Sequence, residues 1–91
     1  MSEIRVRTRG MGPTHSKGQR VSATATVNGS DYRVVVPWDY YYNAEDMHRV
    51  AAERLVLGGQ VMLHRLVTVM RETDLDRSRA NGYVFTFTVG E

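Results

Sequence analysis

Between Arg20 and Pro37 the chain reads RVSATATVNGSDYRVVVP, and no other stretch constrains the fold as much. Val21, Ala23, Ala25 and Val27 alternate with Ser22, Thr24 and Thr26. A period of two belongs to a strand with one buried and one polar face. Asn28-Gly29 follows, the residue pair that most readily takes the positive φ of a tight hairpin turn. Strands are expected over 20–28 and 31–37. Pro37 closes the second, because it has no N–H to give a ladder. A lone hairpin is barely stable in water, so the rest of the chain must complete a sheet around it.

Residues 3–9, EIRVRTR, alternate in the same way, with Ile4, Val6 and Thr8 on one side, and predict another strand. Residues 10–19 hold three glycines and a proline and read as a loop. A helix is expected over 44–57. Asn43 offers an N-cap oxygen, Glu45 and Asp46 complement the dipole, and Met47, Val50, Ala51 and Leu55 recur at helical spacing. Gly58-Gly59 stops it. Residues 60–72 suit either a second helix, with Met62, Leu63, Leu66, Val67 and Met70 on one face, or a strand, which the valines favour. Residues 73–82 read as a charged loop. Residues 83–89 read as a strand with Tyr83, Phe85, Phe87 and Val89 on one face. The order is then β-β-β-α-β-β: a single α+β domain over 1–91, one helix packed on a mostly antiparallel sheet of four to five strands.

With 91 residues, 42% of them hydrophobic and 24% charged, the chain has globular composition and room for one modest core. No apolar run approaches the ~20 residues of a membrane span, and the first ten residues lack the apolar core of a secretory signal. A cytoplasmic location without a membrane partner is the expectation. The absence of cysteine excludes disulfides, thiolate metal sites and thiol catalysis.

One helix of 14 residues is only ~21 Å long and covers one side of three or four strands. Val34, Val35 and Val36 are consecutive, so one face of that strand leaves apolar surface over. Long loops cover it, or 60–72 is a second helix, or the face is an interface. The third alternative implies a homodimer or docking on another protein.

Trp38, Tyr40, Tyr41 and Tyr42 place four aromatics in five residues between a strand end and a helix start. Such side chains either staple the helix to the sheet or form a partner contact, since Tyr and Trp dominate interface hot spots. Base stacking is the third reading, and Asp39, Glu45 and Asp46 argue against a phosphate backbone beside it. Eleven of the twelve basic residues are Arg. Residues 1–20 hold Arg5, Arg7, Arg9, Lys17 and Arg20 against Glu3 alone. These are the guards of an edge strand, rim contacts at an interface, or phosphate contacts. The 10–18 loop fails as a Walker loop, because Ser16-Lys17-Gly18 leads into a strand. His15, His48 and His64 lack the i, i+4 spacing of a helical metal site, and His48 is expected on the exposed side of its helix. Arg65, Arg71, Arg77 and Arg79 alternate with acids and read as solvated.

Val36-Pro37-Trp38-Asp39, the run from Met47 to Leu55 (MHRVAAERL) and Gly82-Tyr83-Val84-Phe85 resemble small uncharacterised accessory proteins encoded by phages of actinobacteria. The resemblance covers about half the chain. It implies a short sheet with one helix and an accessory role in a bacterial cytoplasm, and no activity or functional residues.

The functional expectation is a non-enzymatic protein-interaction module that contacts its partner through Trp38, Tyr40, Tyr41 and Tyr42. The alternative is a nucleic-acid-binding protein using the basic first strand and loop. No catalytic residue, metal or cofactor is assigned.

Overall fold

The computed structural model describes residues 2–13, 18–27, 29–57 and 69–90. Five strands and one helix follow in the order β1 (Ser2–Met11), β2 (Arg20–Val27), β3 (Ser30–Pro37), α1 (Ala44–Leu57), β4 (Val69–Asp76) and β5 (Val84–Gly90). The strands form one antiparallel sheet in the spatial order β3-β2-β1-β5-β4. This is the α+β architecture that the alternation and the helical stripe predict.

Pattern and position agree closely in the hairpin and the helix. Val27 stands opposite Ser30 across the turn, and Gly29 has φ +81°. The Asn43 side-chain oxygen accepts the Asp46 N–H at 2.8 Å, so the N-cap forms where the sequence offers it. The core lies between α1 and the inward face of the sheet. Ile4 and Val6 of β1, Val21, Ala23 and Ala25 of β2, Val36 of β3 and Phe85, Phe87 and Val89 of β5 meet Met47, Ala51, Ala52, Leu55 and Val56. The helix packs on β1, β2 and β3. Alanines on both sides of that contact let it approach closely. Arg49 ties its outer flank to β4 through Glu72 at 2.7 Å, with its guanidinium 5.4 Å from the Phe85 ring centre.

Four expectations are corrected. The basic first strand is not an edge strand: β1 is central, paired with β2 on one side and β5 on the other. The outer strands are β3 and β4. The charged segment 73–82 is not all loop, because β4 continues to Asp76 through an irregularity between Glu72 and Asp74. Its charges are those of an edge strand kept from pairing with other chains. The loop expected over 10–19 starts later, since β1 runs to Met11. The valine surplus on β3 is small: Val34 and Val36 face the helix, and only Val35, 40% exposed, stands on the other side. In the 60–72 segment, Val69–Glu72 are strand, and 60–68 lie outside the described residues. Among the described residues, no helix is long and apolar enough to cross a membrane.

Candidate functional site

The face of the sheet turned away from α1 carries the alternate residues of each strand. On β1 these are Glu3, Arg5, Arg7 and Arg9, all exposed. Register fixes their neighbours. Arg7 is opposite Thr24, which is opposite Arg33; Arg9 is opposite Ser22; Met11 is opposite Arg20. With ~3.4 Å per residue and ~4.8 Å between strands, Arg7 and Arg9 leave the sheet about 7 Å apart, and Arg7 and Arg33 about 10 Å apart.

The result is an open hollow of about 700 Å³ whose lining includes Arg7, Arg9, Arg20, Arg33 and Arg79, with the Ser22 and Thr24 hydroxyls and Asn81 between them. Among the described residues, no carboxylate lines it. Among the described residues, the ion pairs join Arg49 to Glu45, Asp46 and Glu72, and Arg77 to Glu45; the five arginines of the hollow take no part in them.

Arg79 arrives from the loop between β4 and β5, and local chemistry fixes that loop. The Asp76 carboxylate accepts the Ser78 hydroxyl at 2.6 Å and the Ser78 N–H at 2.8 Å, which turns the chain. These two bonds hold its pKa below the usual carboxylate value. Asn81 takes a left-handed φ of 61°, and its carbonyl accepts the Gly10 N–H at 2.8 Å. The Thr8 N–H donates to the Tyr83 carbonyl, also at 2.8 Å. Between these two bonds a Cβ on Gly82 would lie 1.9 Å from the Thr8 carbonyl oxygen, so only glycine fits.

Beneath the hollow, Thr8 is fully buried, and its hydroxyl lies 2.8 Å from Nδ1 of His48. The Tyr83 N–H donates to the same hydroxyl at 3.2 Å, and the Tyr83 carbonyl oxygen lies 3.4 Å from it. Burial lowers the His48 pKa and so favours its uncharged ring. His48 is therefore not the exposed helix residue expected from the sequence. A helix that covers three strands buries a wider stripe than Met47, Val50, Ala51 and Leu55, and His48 falls inside it, edge-on to Trp38 and Tyr83.

The aromatic run forms a ridge at one end of the hollow. The Trp38 N–H donates to the Gln19 carbonyl at 2.9 Å, Met47 Sδ accepts the Asp39 N–H, and Asp39 Oδ1 accepts the Tyr41 N–H. This turn half-buries Trp38 against the core and leaves Tyr40 and Tyr41 80% and 87% exposed. Tyr42 stands edge-on to Tyr41. Gly18, Gln19, Arg20, Pro37, Trp38 and Tyr40 line a second depression of about 450 Å³, so Arg20 belongs both to it and to the arginine hollow. A third, of about 610 Å³, carries Tyr41, Tyr42 and Arg54 on the far side of the ridge.

Of the residues singled out in the sequence, the structure brings Arg7, Arg9 and Arg20 into the hollow and Trp38, Tyr40, Tyr41 and Tyr42 onto the ridge beside it. Arg5 shares the face but sits one step along, opposite Thr86 and outside the lining. Lys17 lies outside the described residues. Arg33, Arg79, Ser22 and Thr24 are not among the site residues expected from the sequence, where Arg79 reads as solvated and Ser22 and Thr24 only as the polar face of a strand. The first, third and fourth were within reach: a two-residue Asn28-Gly29 turn sets Thr24 opposite Arg33 and Ser22 opposite Val35. Arg79 has no such signal, because a loop carries it. Among the described residues, no group of three or more histidines and acids is placed to hold a metal ion. Comparison with known proteins returns no match to a family model, a curated protein or a solved structure.

Proposed function

We propose that this chain binds nucleic acid through the arginine-lined hollow on the open face of its sheet. The observation that carries this reading is the composition of the lining: among the described residues it holds five arginines, with the exposed-face hydroxyls of Ser22 and Thr24, and no carboxylate. Guanidinium groups keep their charge at any physiological pH and donate in a fork that fits phosphate oxygens. On the strands, Arg9 stands about 7 Å from Arg7 along β1 and Arg33 about 10 Å from Arg7 across the sheet, a spread that suits a repeating anion better than a single one. The test is an electrophoretic shift at two ionic strengths with a short oligonucleotide. The chain retards it at low salt and releases it as salt rises, and R7S/R9S weakens binding at least tenfold. No shift at low salt overturns the reading.

A second reading, contact with another protein, is favoured by the exposure of Tyr40 and Tyr41. It predicts that Tyr41→Ala abolishes co-purification of a protein partner from the native cell while R7S/R9S does not.

A further inference from the structure

We infer that the nucleic acid bound is single-stranded and that it crosses from the arginine hollow onto the aromatic ridge, where a base stacks on Tyr40 beside Trp38. The inference rests on the proposed binding at the hollow and extends that site. Three observations carry it.

The first is continuity. Arg20 lines both the arginine hollow and the depression walled by Trp38 and Tyr40, so a strand whose phosphate sits at Arg20 has its next base over the ridge. Arg54 lies beyond the ridge and offers a further phosphate contact. Cations before and after an aromatic step are what a single strand requires of a protein surface.

The second is the fate of the nearby acids. Glu45 is held by Arg77 and Arg49, and Asp46 by Arg49. The Arg77 hydrogen bond, ahead of all other influences, keeps the Glu45 pKa low. One Asp39 oxygen is taken by the Tyr41 N–H. Neither Glu45 nor Asp46 lines the ridge depressions. Asp39 lines the depression on the far side of the ridge, with Arg54, and not the one that joins Arg20 to Trp38 and Tyr40; among the described residues, no carboxylate lines the path from the hollow to Tyr40.

The third is width. The basic lane covers β1, β2 and β3, about 10 Å across in strand geometry. On the same face, Asp76 stands opposite Val84, and Asp74 opposite Thr86, on β4. One strand fits the lane, whereas a duplex lays its second phosphate chain over those carboxylates.

Trp38 is the only tryptophan of the chain, so its fluorescence reports the ridge directly. The experiment titrates the full chain, and its R7S/R9S and Tyr40→Ala variants, with a twelve-residue oligodeoxythymidine and with a duplex of equal length. Thermal melts confirm that Tyr40→Ala, altered at an exposed side chain, remains folded. The expected result is quenching of Trp38 by the single strand, at least tenfold tighter binding of single strand than duplex, and a loss of about tenfold in single-strand affinity in Tyr40→Ala with duplex affinity unchanged. R7S/R9S weakens both. If the wild type binds both forms equally, leaves Trp38 unquenched and is indifferent to Tyr40→Ala, the stacking inference is overturned while binding at the hollow stands, and the ridge returns to the protein-contact reading. If neither form binds, the underlying proposal fails with it.

Discussion

The two faces of β1 are opposites in burial and charge, although one backbone serves both. Ile4, Val6 and Thr8 point toward α1 and are almost fully buried. Glu3, Arg5, Arg7 and Arg9 point the other way and are exposed. The pleat makes this division unavoidable, because successive side chains leave a strand on opposite sides. Stability and recognition are thereby separated at a spacing of one residue. The covered face supplies the hydrophobic area that holds the fold. On the open face, relieved of that duty, Arg7 and Arg9 join Arg20, Arg33 and the loop residue Arg79 around a hollow that no carboxylate of the described residues lines.

The comparison makes predictions that can be ranked by size. Phe85→Ala removes a fully buried ring from the covered face. It should lower unfolding free energy by about 3–5 kcal/mol in urea titrations, close to the whole stability of a domain this small. Gly82→Ala comes next. Its Cβ would collide with the Thr8 carbonyl, so β1 and the Tyr83 strand entry must part; the expected loss is about 3 kcal/mol. If Gly82→Ala is as stable as the wild type, the close backbone approach that positions Arg79 is wrong.

His48 gives a third, pH-dependent effect on the covered side. Burial lowers its folded pKa below the ordinary histidine value of about 6.5. The unfolded chain therefore binds the proton first. The stabilisation from neutral His48 is complete above that value and is lost as pH falls below it toward the folded pKa. The slope reaches at most about 1.4 kcal/mol per pH unit. Between roughly pH 6.5 and the carboxylate range, His48→Gln should flatten the stability curve. Glu53, whose pKa burial raises, is common to both proteins and cancels in the difference. An unchanged slope would contradict a buried neutral ring.

Smallest is Arg7→Ser on the open face. It should change stability by no more than about 0.5 kcal/mol, since exposed positions without special partners tolerate substitution. The same variant should lose oligonucleotide affinity. A loss of stability comparable to that of Phe85→Ala would erase the distinction between the faces.

The sequence made one side of this comparison far easier to read than the other. Alternation in 20–27 and 83–89, the Asn28-Gly29 turn and the Asn43 cap led directly to the strands, the hairpin and the helix, because each is a local signal. Strand order is not local. Arg5, Arg7 and Arg9 on an alternating segment suit a guarded edge as well as a central strand with one open face, and only pairing with both β2 and β5 decides between them. The same limit hid the site. Arg7, Arg9 and Arg20 were visible as a basic excess, but Arg33 joins them through cross-strand register, and Arg79 through a loop held by Asp76, Asn81 and Gly82. His48 was misplaced because a helical stripe of four residues understates the surface a helix buries against three strands.

The most direct test follows the arginine Nε–Hε resonances by NMR while the protein is titrated with a short single-stranded oligonucleotide at low salt. The signals of Arg7, Arg9, Arg20, Arg33 and Arg79 should shift together and saturate at one stoichiometry. Those of Arg49 and Arg77, already paired with carboxylates on the helix side, should stay in place. Shifts at Arg49 and Arg77 with the five unmoved would contradict the assignment of the open face as the binding surface.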